Sequence, residues 1–233
     1  MSKLAIALAV LAASREARAD SSYLYDGGAV PLFWLPLAGD LAIDLAVAPR
    51  SSPLLFDAHD GGASPSSWEV PHWSIDLAGV GVVAGFAVEN HPDQAKGLAE
   101  AMATASFVDA VAKPVFGRHR PDSSPTNADA DESESFPSGH ATEAFVIATY
   151  TALYLHDHVA GDHAPAYAGV FGAATLVGAE RVYHHRHHVS DVVVGSLIGA
   201  MTSFAIYRYQ DARARDVAPA GPTAPALSFA GSF

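Results

Sequence analysis

The chain has 233 residues, of which 50% are hydrophobic and 16% charged, and its formal net charge is -12. This length is enough to bury one sizeable core, and the acidic balance argues against a nucleic-acid partner. The absence of cysteine excludes disulfides and thiolate metal sites. Long apolar runs such as LAGVGVVAGFAV are hydrophobic around the whole helical circumference, which predicts helices buried in protein or in lipid.

The start of the chain resembles a secretory signal. Lys3 precedes an apolar stretch over residues 4–13, and Ala17 and Ala19 form an A-x-A cleavage pattern. An ordinary N-terminal helix is the alternative. We therefore expect residues 1–19 to be a signal peptide and the protein to be exported to the periplasm or cell envelope.

The rest of the chain divides into three parts by composition. Residues 20–74 combine a helical apolar segment with a loop rich in Gly, Pro and Ser, in which we expect Trp68 and Trp73 to pack against the body. Residues 75–210 carry the longest apolar helical patterns and are predicted to form a helical bundle. Residues 211–233 are an Ala/Pro-rich tail in which we expect no regular structure.

Apolar periodicity predicts an all-α bundle of about six helices, and no alternating run is long enough to argue for a sheet. Because Pro114 disfavours a helical conformation at Lys113, we expect one helix to end there and to present the lysine. Residues 122–135 are polar and acidic and are predicted to form a solvated loop, so we assign no catalytic role to their carboxylates. The predicted helices of the bundle are 75–88, 94–112, 140–155, 166–181 and 190–209.

Three separate clusters of reactive side chains stand at or near the predicted helix ends. They lie in the segments KPVFGRHRP, PSGH and RVYHHRHHVSD. If the last helix begins near Val189, the four-residue spacing in the third segment brings a carboxylate under an imidazole. The candidate site residues are Lys113 and Arg120 in the first cluster, Ser138, Gly139 and His140 in the second, and Arg181, His187 and Asp191 in the third.

Together the three clusters resemble the signature of the phosphatidic acid phosphatase type 2 and vanadium haloperoxidase superfamily. That signature is a lysine, six residues and Arg-Pro, then Pro-Ser-Gly-His, then Ser-Arg, five residues, His, three residues and Asp, and this chain matches it in order and spacing with one exception. Glu180 stands where the family usually has serine. Since an inward carboxylate would repel a phosphate, we expect Glu180 to point away from the site.

The residue types suit phosphoryl transfer on physical grounds. A phosphoryl group in transfer carries its charge on three equatorial oxygens, which fixed cations and N–H donors stabilise. Lys113, Arg120 and Arg181 supply the cations, since arginine binds phosphate oxygens in a bidentate manner and lysine acts as a point charge. The Ser138 hydroxyl and the Gly139 N–H complete the predicted phosphate site.

The two histidines of the signature have different expected roles. A histidine attacks phosphorus only when its ring is neutral and its other nitrogen is held by an acceptor, so we expect His187 to be the nucleophile and Asp191 the acceptor. An alkoxide leaving group needs a proton, which His140 at the start of its helix is placed to supply. We expect the same residue to activate the water that hydrolyses the phosphohistidine.

The resemblance implies a metal-independent phosphatase without a cofactor, acting on phosphomonoesters, lipid phosphates or pyrophosphates. One alternative is a vanadate-dependent haloperoxidase, because the site that binds phosphate also binds vanadate. Another is a non-enzymatic, histidine-rich metal-binding protein of the envelope. Outside the signature, His184, His185 and His188 are interpreted as loop residues that shape access to the site.

The location of the substrate is the harder question. The late apolar runs are each shorter than the roughly 20 residues that a membrane span requires, which favours an exported protein that is not embedded. Members of the family begin spans at their catalytic motifs, so integral inner-membrane placement with a periplasm-facing site is the alternative. We therefore expect a phosphorylated small molecule or a lipid phosphate as substrate, and association with the membrane surface or integration into the membrane stays among the alternatives. The sequence predicts no oligomeric state.

Overall fold

The computed structural model of this protein describes residues 38–39, 42–43, 68–122 and 134–217, with side chains to residue 212. The predicted signal peptide, most of the 20–74 region and the end of the tail lie outside the described residues. The domain boundaries drawn there stay predictions.

The described part of the chain is all helical, as predicted, and contains no strand. The described residues form five long helices, whereas about six were expected for the whole chain. The last of them continues past residue 210, where the sequence predicts the bundle to end. The helices are α1 (His72–Val88), α2 (Pro92–Phe116), α3 (Gly139–His158), α4 (Ala164–Tyr183) and α5 (Val189–Val217).

Helix α3 lies at the centre of the bundle and packs against each of the other four, most extensively against α5. Its inward residues Val146 and Tyr150 are fully buried and meet Leu98 and Met102 of α2 and Ile206 of α5. The PSGH segment leads directly into α3, so the second cluster lies at the start of the central helix.

Helix α2 is held by close approach rather than by large side chains. Ala95, Ala99, Ala101 and Ala105 are all completely buried. Small side chains let a helix approach its neighbours closely, so that many weak dispersion contacts replace a few strong apolar anchors.

The expected end of α2 at Lys113 is wrong. Pro114 lies inside the helix, which continues to Phe116. A proline within a helix removes one backbone hydrogen bond, and packing of the helix tolerates that loss here. The actual stop is Gly117, whose φ of 51° is left-handed and whose N–H donates to the Lys113 carbonyl at 2.8 Å.

Two glycines of α5 set its distance from α3. A Cβ at Gly195 would lie 2.6 Å from the Ser138 carbonyl oxygen, and a Cβ at Gly199 would overlap the Thr142 carbonyl. Only glycine permits this approach. The contact brings the start of α5, which carries Asp191, against the start of α3, where the Ser138 N–H donates to the Asp191 carbonyl at 3.1 Å.

Much of the outer surface of the bundle is apolar. Leu176 on α4 is 71% exposed, Met201 on α5 is 70% exposed and Val88 on α1 is 83% exposed. The expectation that Trp68 and Trp73 pack against the body is wrong, since they are 70% and 61% exposed. These side chains form an apolar exterior that spans α1, α4 and α5.

One helix among the described residues is long and apolar enough to cross a membrane by length and composition, over Val189–Ala212. Only 28% of its apolar window is buried in the protein. A single such helix is weak evidence for a span, because core helices of soluble proteins can have the same composition.

Candidate active site

His187 lies in the turn between α4 and α5 and is only 4% exposed. Its Nδ1 lies 2.7 Å from the Ser135 carbonyl oxygen and 3.8 Å from Asp191 Oδ2. The nearest acceptor is therefore the backbone carbonyl and not the carboxylate expected from the sequence. A carbonyl oxygen can accept a hydrogen bond but cannot donate one, so Nδ1 must carry the proton of the neutral ring. This leaves Nε2 unprotonated.

Asp191 lies beside this ring, is completely buried and is surrounded by hydrogen-bond donors. Its carboxylate accepts hydrogen bonds from Ser135 Oγ at 2.6 Å, from the His188 N–H at 2.9 Å and from Arg118 Nη1. Arg118 also donates to Ser190 Oγ at 2.7 Å. Because all of these groups are buried or partly buried, the carboxylate is fixed in position under the His187 ring.

Sequence reasoning missed two residues of this arrangement. Ser135 was placed in a solvated loop, yet it is completely buried and contacts both His187 and Asp191. Arg118 stands inside the six-residue gap of the first motif and received no role. The need for such a residue could have been inferred, because a carboxylate buried beside a histidine requires a cation or several donors as partners.

Burial lowers the pKa of His187 to about 4, although the neighbouring Asp191 carboxylate opposes this shift. The positive charge of Arg120 acts in the same direction as burial. The ring is therefore neutral at pH 7, as a nucleophile requires.

His140 is the second residue of α3 and is half-buried. Its Nε2 lies 3.2 Å from the Val70 carbonyl oxygen, and its ring meets the ring of His72 edge to face at 4.5 Å between centroids. Burial lowers its pKa to about 2, and the positive charges of His72, Arg181 and His187 act in the same direction.

Ser138 precedes the first residue of α3, Gly139. Ser138 is completely buried, and no described group forms a hydrogen bond with its Oγ. A buried hydroxyl without a partner is costly unless a ligand satisfies it. Lys113 Nζ faces the same helix start, at 3.9 Å from the position that a Cβ of Gly139 would occupy, and lies 3.7 Å from Asp109 Oδ2.

Arg181, near the end of α4, is 4% exposed and contacts the chain that precedes α1. Its Nη2 lies 3.5 Å from Glu69 Oε2, and its Nη1 lies 3.4 Å from the Val70 carbonyl oxygen. Glu69 also accepts two hydrogen bonds from Arg186 Nε, at 3.0 and 3.1 Å. Oxygen atoms of Glu69 and Val70 thus lie against Arg181, which is the kind of contact that phosphate oxygens make with arginine.

The expectation that Glu180 points away from the site is wrong. Its Oε1 accepts a hydrogen bond from the Val70 N–H at 2.8 Å, and its Oε2 lies 3.5 Å from Arg181 Nη1. The backbone N–H next to a buried arginine needs an acceptor, and the carboxylate provides one. Glu180 therefore connects α4 to the segment before α1 instead of facing solvent.

The histidine tract, residues 184–188, contains two histidines outside the signature that contact other parts of the protein. His184 is 2% exposed and its Nε2 lies 3.6 Å from Glu180 Oε1. The Nε2 of His188 lies 3.3 Å from the His119 carbonyl oxygen. Within the ranges 68–122 and 134–212, the histidines of this tract form no group of three metal-ligating side chains.

Comparison with known proteins shows which family the chain resembles over the region of the three clusters. The family model of the PAP2 superfamily matches residues 94–215, which contain all three clusters. The chain is 33% identical over 102 residues to lipid A 1-phosphatase of Porphyromonas gingivalis, covering 43% of this chain and 20% of that protein. It is 38% identical over 82 residues to lipid phosphate phosphatase 1 of Arabidopsis thaliana, covering 32% of this chain and 25% of the relative.

A third relative is phospholipid phosphatase 1 of Rattus norvegicus, which is 32% identical over 80 residues that cover 32% of this chain and 28% of the relative. The chain therefore spans between a fifth and just over a quarter of the length of these curated relatives. No solved structure gives a significant match. Since the family model covers more than half of the chain and includes every motif of the signature, the chain belongs to the PAP2 superfamily.

Proposed function

We propose that this protein is a metal-independent phosphoric ester hydrolase that acts through a phosphohistidine on His187. The observation that carries the proposal is the state of the His187 ring. Its Nδ1 donates to the Ser135 carbonyl at 2.7 Å, so the neutral ring presents an unprotonated Nε2. A buried neutral imidazole with one free nitrogen beside fixed cations is suited to attack an electrophilic phosphorus.

In the first step, Nε2 of His187 attacks phosphorus as the ester P–O bond breaks and a P–N bond forms. Arg120, Arg181 and Lys113 stabilise the charge on the equatorial oxygens. The buried Ser138 hydroxyl, together with the Gly139 N–H at the start of α3, donates to the same oxygens.

His140 transfers protons in both steps. Its pKa of about 2 leaves the ring neutral at pH 7, and a bound phosphate dianion raises that pKa because an opposite charge favours the protonated ring. Protonated in this way, His140 gives its proton to the leaving alkoxide. The neutral ring then takes a proton from water, which attacks the phosphohistidine, breaks the P–N bond and releases inorganic phosphate.

We further propose that the substrate is a lipid phosphate. The apolar exterior of α1, α4 and α5 supports this proposal, because soluble monomeric proteins rarely expose apolar surface of this extent. The exposed Trp68 and Trp73 lie at the site end of α1, and tryptophan is enriched at the boundary between membrane and water. These observations favour membrane association, with the site at the membrane surface, over the non-embedded exported protein.

The test is hydrolysis by the purified full chain in mixed micelles containing phosphatidic acid, compared with nitrophenyl phosphate in the same detergent. We expect kcat/KM for the lipid to be at least about tenfold higher, since binding of the acyl chains contributes to the transition state. Activity should survive EDTA, and vanadate should inhibit competitively because it mimics the five-coordinate transition state.

Three outcomes would contradict parts of the proposal. Loss of turnover with EDTA and its restoration by zinc would indicate a metal enzyme. Oxidation of halide by peroxide in the presence of vanadate, without phosphatase activity, would indicate a haloperoxidase. Equal kcat/KM for both substrates would leave the chemistry in place and remove the preference for lipid.

A further inference from the structure

A second cluster of ionisable side chains lies beside the proposed phosphate site. His72 is the first residue of α1, Asp76 follows one turn later, and Glu143 projects from α3. His72 Nδ1 lies 3.6 Å from Asp76 Oδ2, and His72 Nε2 lies 3.7 Å from Glu143 Oε2. One nitrogen or oxygen atom from each of these residues lies within 4.8 Å of the others.

Both carboxylates of this cluster are buried, with Asp76 4% and Glu143 7% exposed. Glu143 Oε1 accepts a hydrogen bond from Ser106 Oγ at 3.3 Å, but no described donor forms a hydrogen bond with Oε2. An ionised oxygen without a donor in a buried position is strongly unfavourable. This oxygen lies 3.7 Å from His72 Nε2, so the buried carboxylates can be balanced by a protonated His72, by a proton shared between them or by a bound cation.

The surrounding charges favour a cation. Asp109 on α2 is a third buried carboxylate, and Lys113 lies 3.7 Å from its Oδ2. The three carboxylates lie near one lysine and the His72 imidazole, so acidic side chains outnumber basic ones at this point. The neighbouring groups therefore do not oppose a positive ion at His72, Asp76 and Glu143.

Space and access are both present at this point. The position of a Cβ on Gly139 lies 2.9 Å from Asp109 Oδ2 and 3.6 Å from His72 Nε2, so the glycine leaves room between α3 and the cluster. The His72 side chain is 43% exposed and connects the buried carboxylates to solvent. An ion reaching the cluster from outside would meet His72 first.

We propose that His72, Asp76 and Glu143 bind one divalent transition-metal ion, with Zn²⁺ as the closest match to this ligand set. One imidazole and two carboxylates leave the fourth tetrahedral position for water. Zinc ligands lie about 2.0 to 2.2 Å from the ion, so the three side chains must draw closer together when it binds. The site takes no part in the proposed hydrolysis.

The test is a zinc-binding titration of the full chain after treatment with chelator, using a chromogenic zinc indicator as competitor. We expect one Zn²⁺ per chain, and an affinity lowered at least about tenfold in both His72→Ala and Glu143→Gln. His188→Ala is the matched control, because it removes a partly buried histidine of the tract and should keep the affinity unchanged. His72 is exposed, so the His72→Ala protein should fold, and its thermal unfolding checks this.

Three results would overturn the proposal. One is unchanged zinc affinity in His72→Ala, and a second is loss of binding in His188→Ala, which would place the ion in the histidine tract. The third is absence of stoichiometric binding together with a higher Tm in Glu143→Gln. That combination would show that Asp76 and Glu143 share a proton instead of an ion.

Discussion

The surroundings of His187 and His140 differ, although both rings belong to one proposed reaction. His187 is 4% exposed and is fixed by the Ser135 carbonyl and the buried Asp191 with its partner Arg118. His140 is half-buried and contacts the Val70 carbonyl and the exposed ring of His72. A nucleophile needs one tautomer in one orientation, whereas an acid and base must exchange its proton with solvent. The rigid and the accessible environments correspond to these two requirements.

Replacing the nucleophile should have the largest effect. His187→Ala removes the only nitrogen that forms the covalent intermediate, so we expect kcat to fall by at least about 10⁴-fold with every substrate. Rapid-quench experiments with labelled substrate should detect no phosphoenzyme. His188→Ala is the control and should label normally. If His187→Ala labels normally and His140→Ala never labels, the two roles are reversed.

Replacing the accessible histidine should have an effect that depends on the leaving group. For alkyl phosphates, His140→Ala should lower kcat by about 10² to 10⁴-fold because the alkoxide then departs without a proton. With nitrophenyl phosphate the loss of labelling rate should be small. Label should nevertheless accumulate, since the attacking water has lost its base. An equal loss for both leaving groups would show that His140 is not the acid.

Loosening the rigid environment should have an intermediate effect. Asp191→Asn presents an amide NH₂ to groups that are all donors, including Arg118 and Ser135. We expect a fall in kcat of about 10²-fold, because the Ser135 carbonyl still holds the His187 ring. Urea unfolding should show a loss of about 3 kcal/mol, as expected when a buried ion pair is broken. A loss as large as that of His187→Ala would make Asp191 the sole determinant of the tautomer.

The pKa values of the two rings provide a direct comparison. Histidine NMR titration of the full chain should show both rings neutral from pH 8 down to about pH 5, because burial lowers the pKa of His187 to about 4 and that of His140 to about 2. Vanadate should raise the pKa of His140 more than that of His187, because the His187 ring is already fixed by the Ser135 carbonyl and lies beside Asp191. A His187 pKa near its ordinary value would contradict the role of burial.

The same pKa values set the sign of the pH dependence of stability. The folded pKa of His187 lies below the unfolded value of 6.5. Its contribution is therefore fully present above that value and is lost as the pH falls toward about 4. The free energy of unfolding should decrease over this window, and the decrease should be smaller in His187→Ala.

Removing a competing carboxylate should have the smallest effect. Glu69 lies 3.5 Å from Arg181, where a substrate oxygen must bind. Glu69→Gln keeps the shape and removes the charge, so we expect KM to fall by about two- to fivefold with kcat unchanged. Glu89→Gln, at the exposed far end of α1, is the matched control and should leave KM unchanged. An increase in KM would mean that Glu69 positions Arg181 for the substrate.

The helices of the bundle were predictable because their apolar runs are long and continuous. Their ends were less predictable, as α2 shows by continuing through Pro114 to Gly117. The all-α class followed from the apolar periodicity, and the superfamily followed from the three motifs, whose internal spacing is local information. Packing determined where α2 ends, since a proline in a well-packed last turn costs only one hydrogen bond.

The missed residues of the site are those whose role depends on long-range contacts. Ser135 has the composition of a solvated loop, and its burial arises from contacts with residues more than 50 positions away. Glu69 and Val70 precede the part of the chain that the signature covers, and no local pattern places them on Arg181. His72 and Asp76 carried a signal that was not used, because their four-residue spacing puts both on one helix face.

The close approach of α3 and α5 has a consequence for transplanting parts of this protein. The motifs define distances within each cluster, but the distance between the second and third clusters depends on the missing Cβ atoms of Gly195 and Gly199. A chimera that received α5 from a protein with larger residues there would keep every motif intact. It would still hold Asp191 and His187 too far from Ser138, so sequence identity at the motifs alone does not predict an active hybrid.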